Sequence, residues 1–128
     1  MEEFDEVKAK KLLEIGYSKA KEVLTNKEEV EKFLIEVENK IKIIPVKDVN
    51  LDKVPDMISL VRSYIDKSYT NISIENMAVI VSALLYLVAP IDVIPDSVPG
   101  IGYSDDIGVI KFALKIVNNN LEEYIKNK

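Results

Sequence analysis

Apolar residues recur along this chain mostly at intervals of three and four, the spacing of one helical face. Leu13, Tyr17, Ala20 and Leu24 share such a face and predict a first helix over roughly residues 3–24. Gly16 is the weak point in its middle. Thr25-Asn26 ends that helix or caps the next one. The second helix carries Val30, Phe33, Leu34, Val37 and Ile41 on one side and acids and lysines on the other. Ile43-Ile44-Pro45-Val46 breaks it, because proline has no N–H to donate and pushes its predecessor out of the helical region. Asp48-Val49-Asn50-Leu51-Asp52 reads as a connector. Pro55 suits a first helical turn, and Met57, Ile58, Val61 and Ile65 form the stripe of a third helix that frays near residues 68–71.

The fourth helix has a different pattern. Ser73 is its expected cap, with Glu75 in the first turn where the helix dipole favours an anion. From Met77 to Ala89 the polar groups are Ser82 and the Tyr86 hydroxyl. A helix apolar nearly all round belongs in a core or in a membrane. This run has 13 residues, where a span needs about 20. Pro90 and Asp92 stop it, so a central buried helix is expected. Ser104, with Asp105 and Asp106 behind it, then opens a fifth helix. Ile107, Ile110, Leu114, Val117, Leu121 and Tyr124 form its packing seam. The pattern predicts an all-α fold: one small bundle of about five helices around a central apolar helix. A stiff Pro/Gly/Asp loop should join the last two helices as an antiparallel pair.

Composition narrows the chemistry. The 128 residues are 48% hydrophobic, enough for a core, and include neither Cys nor His. That removes thiol nucleophiles, thiolate metal sites and the usual general base near neutral pH. A metal site here would be all oxygen, which suits magnesium, calcium or manganese. The acidic start, Met1-Glu2-Glu3-Phe4-Asp5-Glu6, does not resemble a secretory signal. A cytoplasmic, non-secreted protein is therefore expected.

The net charge of −5 is unevenly placed. From Ser68 to Ile110 there is no Lys or Arg, while Glu75, Asp92, Asp96, Asp105 and Asp106 all fall in that stretch. A duplex-binding surface has the opposite sign, so nucleic acid is not an expected partner.

The loop itself reads Pro90-Ile91-Asp92-Val93-Ile94-Pro95-Asp96-Ser97-Val98-Pro99-Gly100-Ile101-Gly102-Tyr103. Its prolines stiffen it, so ordering its side chains costs less entropy. Asp92, Asp96, Asp105 and Asp106 are candidate ligands for Mg2+ or Ca2+, since clustered carboxylates repel and recruit a cation. The same aspartates also suit turn caps and a helix N-terminus, with no ligand at all. Gly100-Ile101-Gly102 is no nucleotide fingerprint: no strand precedes it, and neighbouring acids would repel phosphate. Arg62 and Lys67 are the cations that could pair with this loop, although a solvated helix face is the commoner role.

The string Tyr86-Leu87-Val88-Ala89-Pro90-Ile91-Asp92-Val93-Ile94-Pro95-Asp96, followed by Pro99, Gly100, Gly102 and Asp105-Asp106, resembles the signature of the YkvA-like domain of unknown function. The likeness continues more weakly through Pro45, Val61, Tyr64 and Tyr69, and downstream to about Glu123. Ser97 and Ser104 depart from it, standing where bulkier apolar residues are expected. The resemblance divides the chain into an N-terminal helical region, 1–43, and a YkvA-like helical region, 44–128, within one compact domain. It implies a helical fold and no established activity. It also raises the expectation of membrane association, since some relatives are membrane proteins and such a segment occurs in a membrane-bound ubiquitin ligase. Two function classes follow. One is a non-enzymatic interaction module, at a membrane surface or on a protein partner. The other is a divalent-cation protein or metal-dependent hydrolase built on the aspartate loop.

Overall fold

Each of the five predicted helices is present in the computed structural model, which describes residues 6–43, 50–88 and 103–126. They are α1 (Glu6–Val23), α2 (Lys27–Ile43), α3 (Val54–Ile65), α4 (Ile74–Val88) and α5 (Tyr103–Lys126). A short 3-10 turn, Leu51–Lys53, leads into α3 where the sequence suggested an irregular connector. There is no strand among the described residues, and the fold is an all-α bundle.

Local chemistry sets the helix ends. Asn26 Oδ1 accepts the Glu29 N–H at 3.1 Å, and Ser73 Oγ accepts the Asn76 N–H at 3.1 Å. Each cap satisfies one of the orphan donors at a helix start. Pro55 lies in the first turn of α3, where its missing N–H leaves no bond unmade. The helix ends in a Schellman arrangement: the Ser68 N–H reaches the Ser63 carbonyl at 2.9 Å and the Lys67 N–H reaches the Tyr64 carbonyl at 3.1 Å. Lys67 occupies the left-handed position of this motif, with φ 66°. α5 begins one residue before the Ser104 expected from sequence, a difference within the ordinary fraying of helix ends.

α4 is the axis of the bundle. Met77 to Leu84, Tyr86 and Leu87 are all buried, and α1, α2, α3 and α5 pack around them. Most of an apolar run too short to cross a bilayer is thus covered by protein neighbours. No helix among the described residues is long and apolar enough to cross a membrane. The buried residues of all five helices form one continuous core.

α1 makes the most extensive of these contacts with α4. Ser82 Oγ donates to the Leu13 carbonyl at 2.7 Å, and the Tyr17 hydroxyl donates to the Glu75 carbonyl at 2.9 Å. The α1 position rises as the α4 position falls, so the two helices run antiparallel. Gly16 and Ala20 on α1, and Ala78 and Ser82 on α4, are buried along this register. Small side chains let two helix backbones approach closely. Gly16 therefore does not interrupt α1; its missing side chain opens room for α4.

Candidate functional site

The end of the bundle that carries the sequence signal is defined by α4 and α5. Asn76 Nδ2 donates to Asn120 Oδ1 at 2.9 Å, tying the start of α4 to the later part of α5. The pair is therefore antiparallel, as expected. The C-terminal end of α4 and the N-terminal end of α5 are joined by residues 89–102. Of the predicted site residues, Asp92, Asp96, Pro90, Pro95, Pro99, Gly100 and Gly102 lie outside the described residues. Asp105 and Asp106 lie in the first turn of α5, where the backbone alone is described. A carboxylate in that turn is favoured by the helix dipole. Tyr86 is buried in the core in the last turn of α4. Among the described residues no group of three or more Asp and Glu is placed to hold a metal ion.

A second polar site lies between α2 and α3, and sequence reasoning missed it. The Arg62 guanidinium donates from Nε to both carboxylate oxygens of Glu31, at 3.1 and 3.2 Å, and from an Nη to Glu38 Oε2 at 3.1 Å. Glu31 and Glu38 are seven residues apart, two turns along one face of α2, which is the signal that could have revealed the clamp. The hydrogen bond donated to Glu38 is the main cause of a raised Arg62 pKa; partial burial opposes it and Glu31 adds to it. Arg62 is thus engaged by α2; the acidic loop with which the sequence suggested it could pair lies outside the described residues. Beside it is an open cavity of about 460 Å3, lined by Ile41, Pro55 and Ile58 with Glu38, Lys42, Ser59 and Arg62.

A third polar cluster pins α3 to α5. The Tyr124 hydroxyl lies 2.5 Å from Ser59 Oγ and 3.0 Å from Ser63 Oγ. Ser59 and Ser63 are one turn apart on α3, so one phenol meets both. The Tyr124 ring meets Tyr69 edge-on, with centroids 5.1 Å apart and planes at 71°. These are neutral hydroxyls in a mainly apolar setting. Their geometry suits holding two helices in register.

Residues 76–112 match the family described as "Protein of unknown function (DUF1232)". The chain is also 25% identical, over 76 residues, to the "Uncharacterized membrane protein YkvA" of Bacillus subtilis (strain 168), an alignment covering 59% of this chain and 72% of that protein. The chain is thus similar to the YkvA-like domain of unknown function. No solved structure matches the chain. The YkvA-like segment defined by the family match comprises nearly all of α4, the connection and the first part of α5. α1, α2 and α3 lie outside that match and supply most of the cover for its apolar helix.

Proposed function

We propose that this protein is a helical interaction module that works at a membrane surface, without catalysis of its own. One observation carries the reading: α4, the most apolar helix of the YkvA-like segment, is enclosed by four other helices. An apolar helix buried from Met77 to Leu84 by protein neighbours has little face left for lipid, so contact with a membrane would be peripheral. The relative bearing the name of a membrane protein supplies the reason to look there. The absence of His and Cys from the sequence leaves few routes to catalysis at neutral pH. Flotation of the full chain with phosphatidylcholine vesicles, and with vesicles containing anionic lipid, tests the reading. A substantial fraction should float with the anionic vesicles. Protein left entirely at the bottom of the gradient with both would overturn it.

A second reading rests on a different observation. No Lys or Arg occurs from Ser68 to Ile110, and the backbone of Asp105 and Asp106 lies in the first turn of α5. Under this reading Asp92, Asp96, Asp105 and Asp106 hold Mg2+ or Ca2+, and the ion would polarise water or a phosphate oxygen. Thermal unfolding in chelator and then in excess cation decides it. A site filled to 100 times its Kd adds about 2.7 kcal/mol. The shift should vanish in an Asp92→Asn, Asp105→Asn double variant, and an unshifted wild type would remove the reading.

A further inference from the structure

The turn between α1 and α2 and the connection between α3 and α4 meet at one end of the bundle, around an open cavity of about 410 Å3. That is within the size range of small-molecule sites. Leu24, Ile65 and Ile72 give it apolar walls, and Lys27, Lys67 and Thr70 give it a polar mouth. Lys27 Nζ lies 3.5 Å from Asp66 Oδ1, which neutralises one of the two ammonium groups. Lys67 has no ion pair among the described residues, so the mouth keeps one uncompensated positive charge.

The backbone adds an independent observation. Lys67 has φ 66° at the position of a Schellman cap where glycine is the least costly residue. A side chain is held there at a conformational cost, and Lys67 is one of the residues that line the cavity. Strain of this kind, at a residue lining a cavity, points to a binding role.

We propose that this cavity binds the phosphate of an anionic phospholipid headgroup. The Lys67 ammonium group faces the phosphate, Lys27 stands beside it in its pair with Asp66, and the glycerol and first methylenes lie against Leu24, Ile65 and Ile72. Lysine recognises phosphate as a point charge, and the apolar walls favour a lipid over a free ion. The assignment rests on the membrane-surface reading and gives it a ligand.

The test uses the full chain and soluble probes: dihexanoyl phosphatidic acid, dihexanoyl phosphatidylcholine and inorganic phosphate, titrated by calorimetry and by amide chemical shifts. Dihexanoyl phosphatidic acid should bind saturably, with shifts centred on Thr25, Tyr64, Thr70 and Ile72. Lys67→Gly should weaken it at least tenfold. That variant removes the charge while suiting the left-handed backbone, so loss of binding cannot be loss of fold; Lys27→Gln gives a second check. Unchanged affinity in both variants would overturn the site. So would equal affinity for inorganic phosphate, or no saturable binding of the acidic lipid. If wild type and Lys67→Gly float equally well with anionic vesicles, the cavity assignment fails and the membrane reading survives. If neither floats nor binds, both fail.

Discussion

Ser82 donates its hydroxyl proton to the Leu13 carbonyl at 2.7 Å, across 69 residues of sequence. It is the buried polar side chain of α4, and this bond is how the helix accommodates it. Ser82→Ala should cost about 1 kcal/mol, the net worth of one intramolecular hydrogen bond. Ser82→Leu should cost more, about 1–3 kcal/mol, because the close approach of α1 leaves no room for the side chain. Urea unfolding gives both values. Faster amide exchange confined first to α1 would show which contact was lost.

The Tyr124 hydroxyl serves two serines of α3 at once. Tyr124→Phe keeps the edge-on contact with Tyr69 but strands both serine hydroxyls, at an expected cost of about 1–2 kcal/mol. Adding Ser59→Ala and Ser63→Ala to that variant should recover part of the loss. Strict additivity in the chemical-denaturation cycle would mean that the three groups do not act together.

Lys67 holds a left-handed backbone that disfavours any residue with a Cβ. Lys67→Gly should therefore stabilise the protein by about 0.5–1 kcal/mol, reduced somewhat by the extra freedom of glycine in the unfolded chain. Lys67→Val should destabilise it by a similar or larger amount, since a β-branched residue fits that region worst. Melting temperatures of the two variants should move in opposite directions.

The Arg62 clamp joins side chains that are 34–46% exposed, so solvent screens it. Arg62→Ala should cost no more than about 1–1.5 kcal/mol, some of it lost packing of the side-chain stem. Arg62→Lys keeps the charge but not the fork, and should recover less than half. Raising NaCl to 1 M should narrow the gap between wild type and Arg62→Ala, measured by urea unfolding at both salt concentrations.

Burial pushes the Tyr17 phenol above its ordinary pKa of 10.0, and the nearby Glu75 carboxylate adds to the shift. The neutral phenol donates to the Glu75 carbonyl. Because the folded pKa is the higher one, the stabilisation is complete below pH 10 and falls away as pH rises through the folded value. Tyr17→Phe should cost about 0.5–1 kcal/mol at pH 8. That difference should shrink above pH 10 in denaturant titrations.

Much of this fold is legible because helical periodicity is a local property. The faces Val30–Phe33–Leu34–Val37 and Leu114–Val117–Leu121–Tyr124 are buried as their spacing predicts. Ser73 caps α4 as read, and the length of the apolar run assigned α4 to the interior. Gly16 was misleading in isolation, because its value lies in the neighbour it admits. The clamp of Arg62 by Glu31 and Glu38, and the meeting of Tyr124 with Ser59 and Ser63, depend on which helices become neighbours. No intervals within one helix reveal that. In sequence Lys67 reads as a lysine on a solvated helix face or a partner for the acidic loop, because a backbone angle leaves no mark in composition. The aspartate positions follow from the Pro/Gly/Asp pattern, but their chemistry turns on side-chain geometry that the pattern does not contain.

The antiparallel docking of α1 on α4 also has a consequence in time. During synthesis α1 emerges before α4, and its partner face on α4 is made 69 residues later. At about 5–20 residues per second the wait is roughly 3–14 s. For that interval the nascent N-terminal helix has nowhere to place Leu13, Ala20 and Val23. Its lysine- and glutamate-rich opposite face, Lys10, Lys11, Glu14, Lys19 and Glu22, is what the ribosome-bound chain presents to water meanwhile.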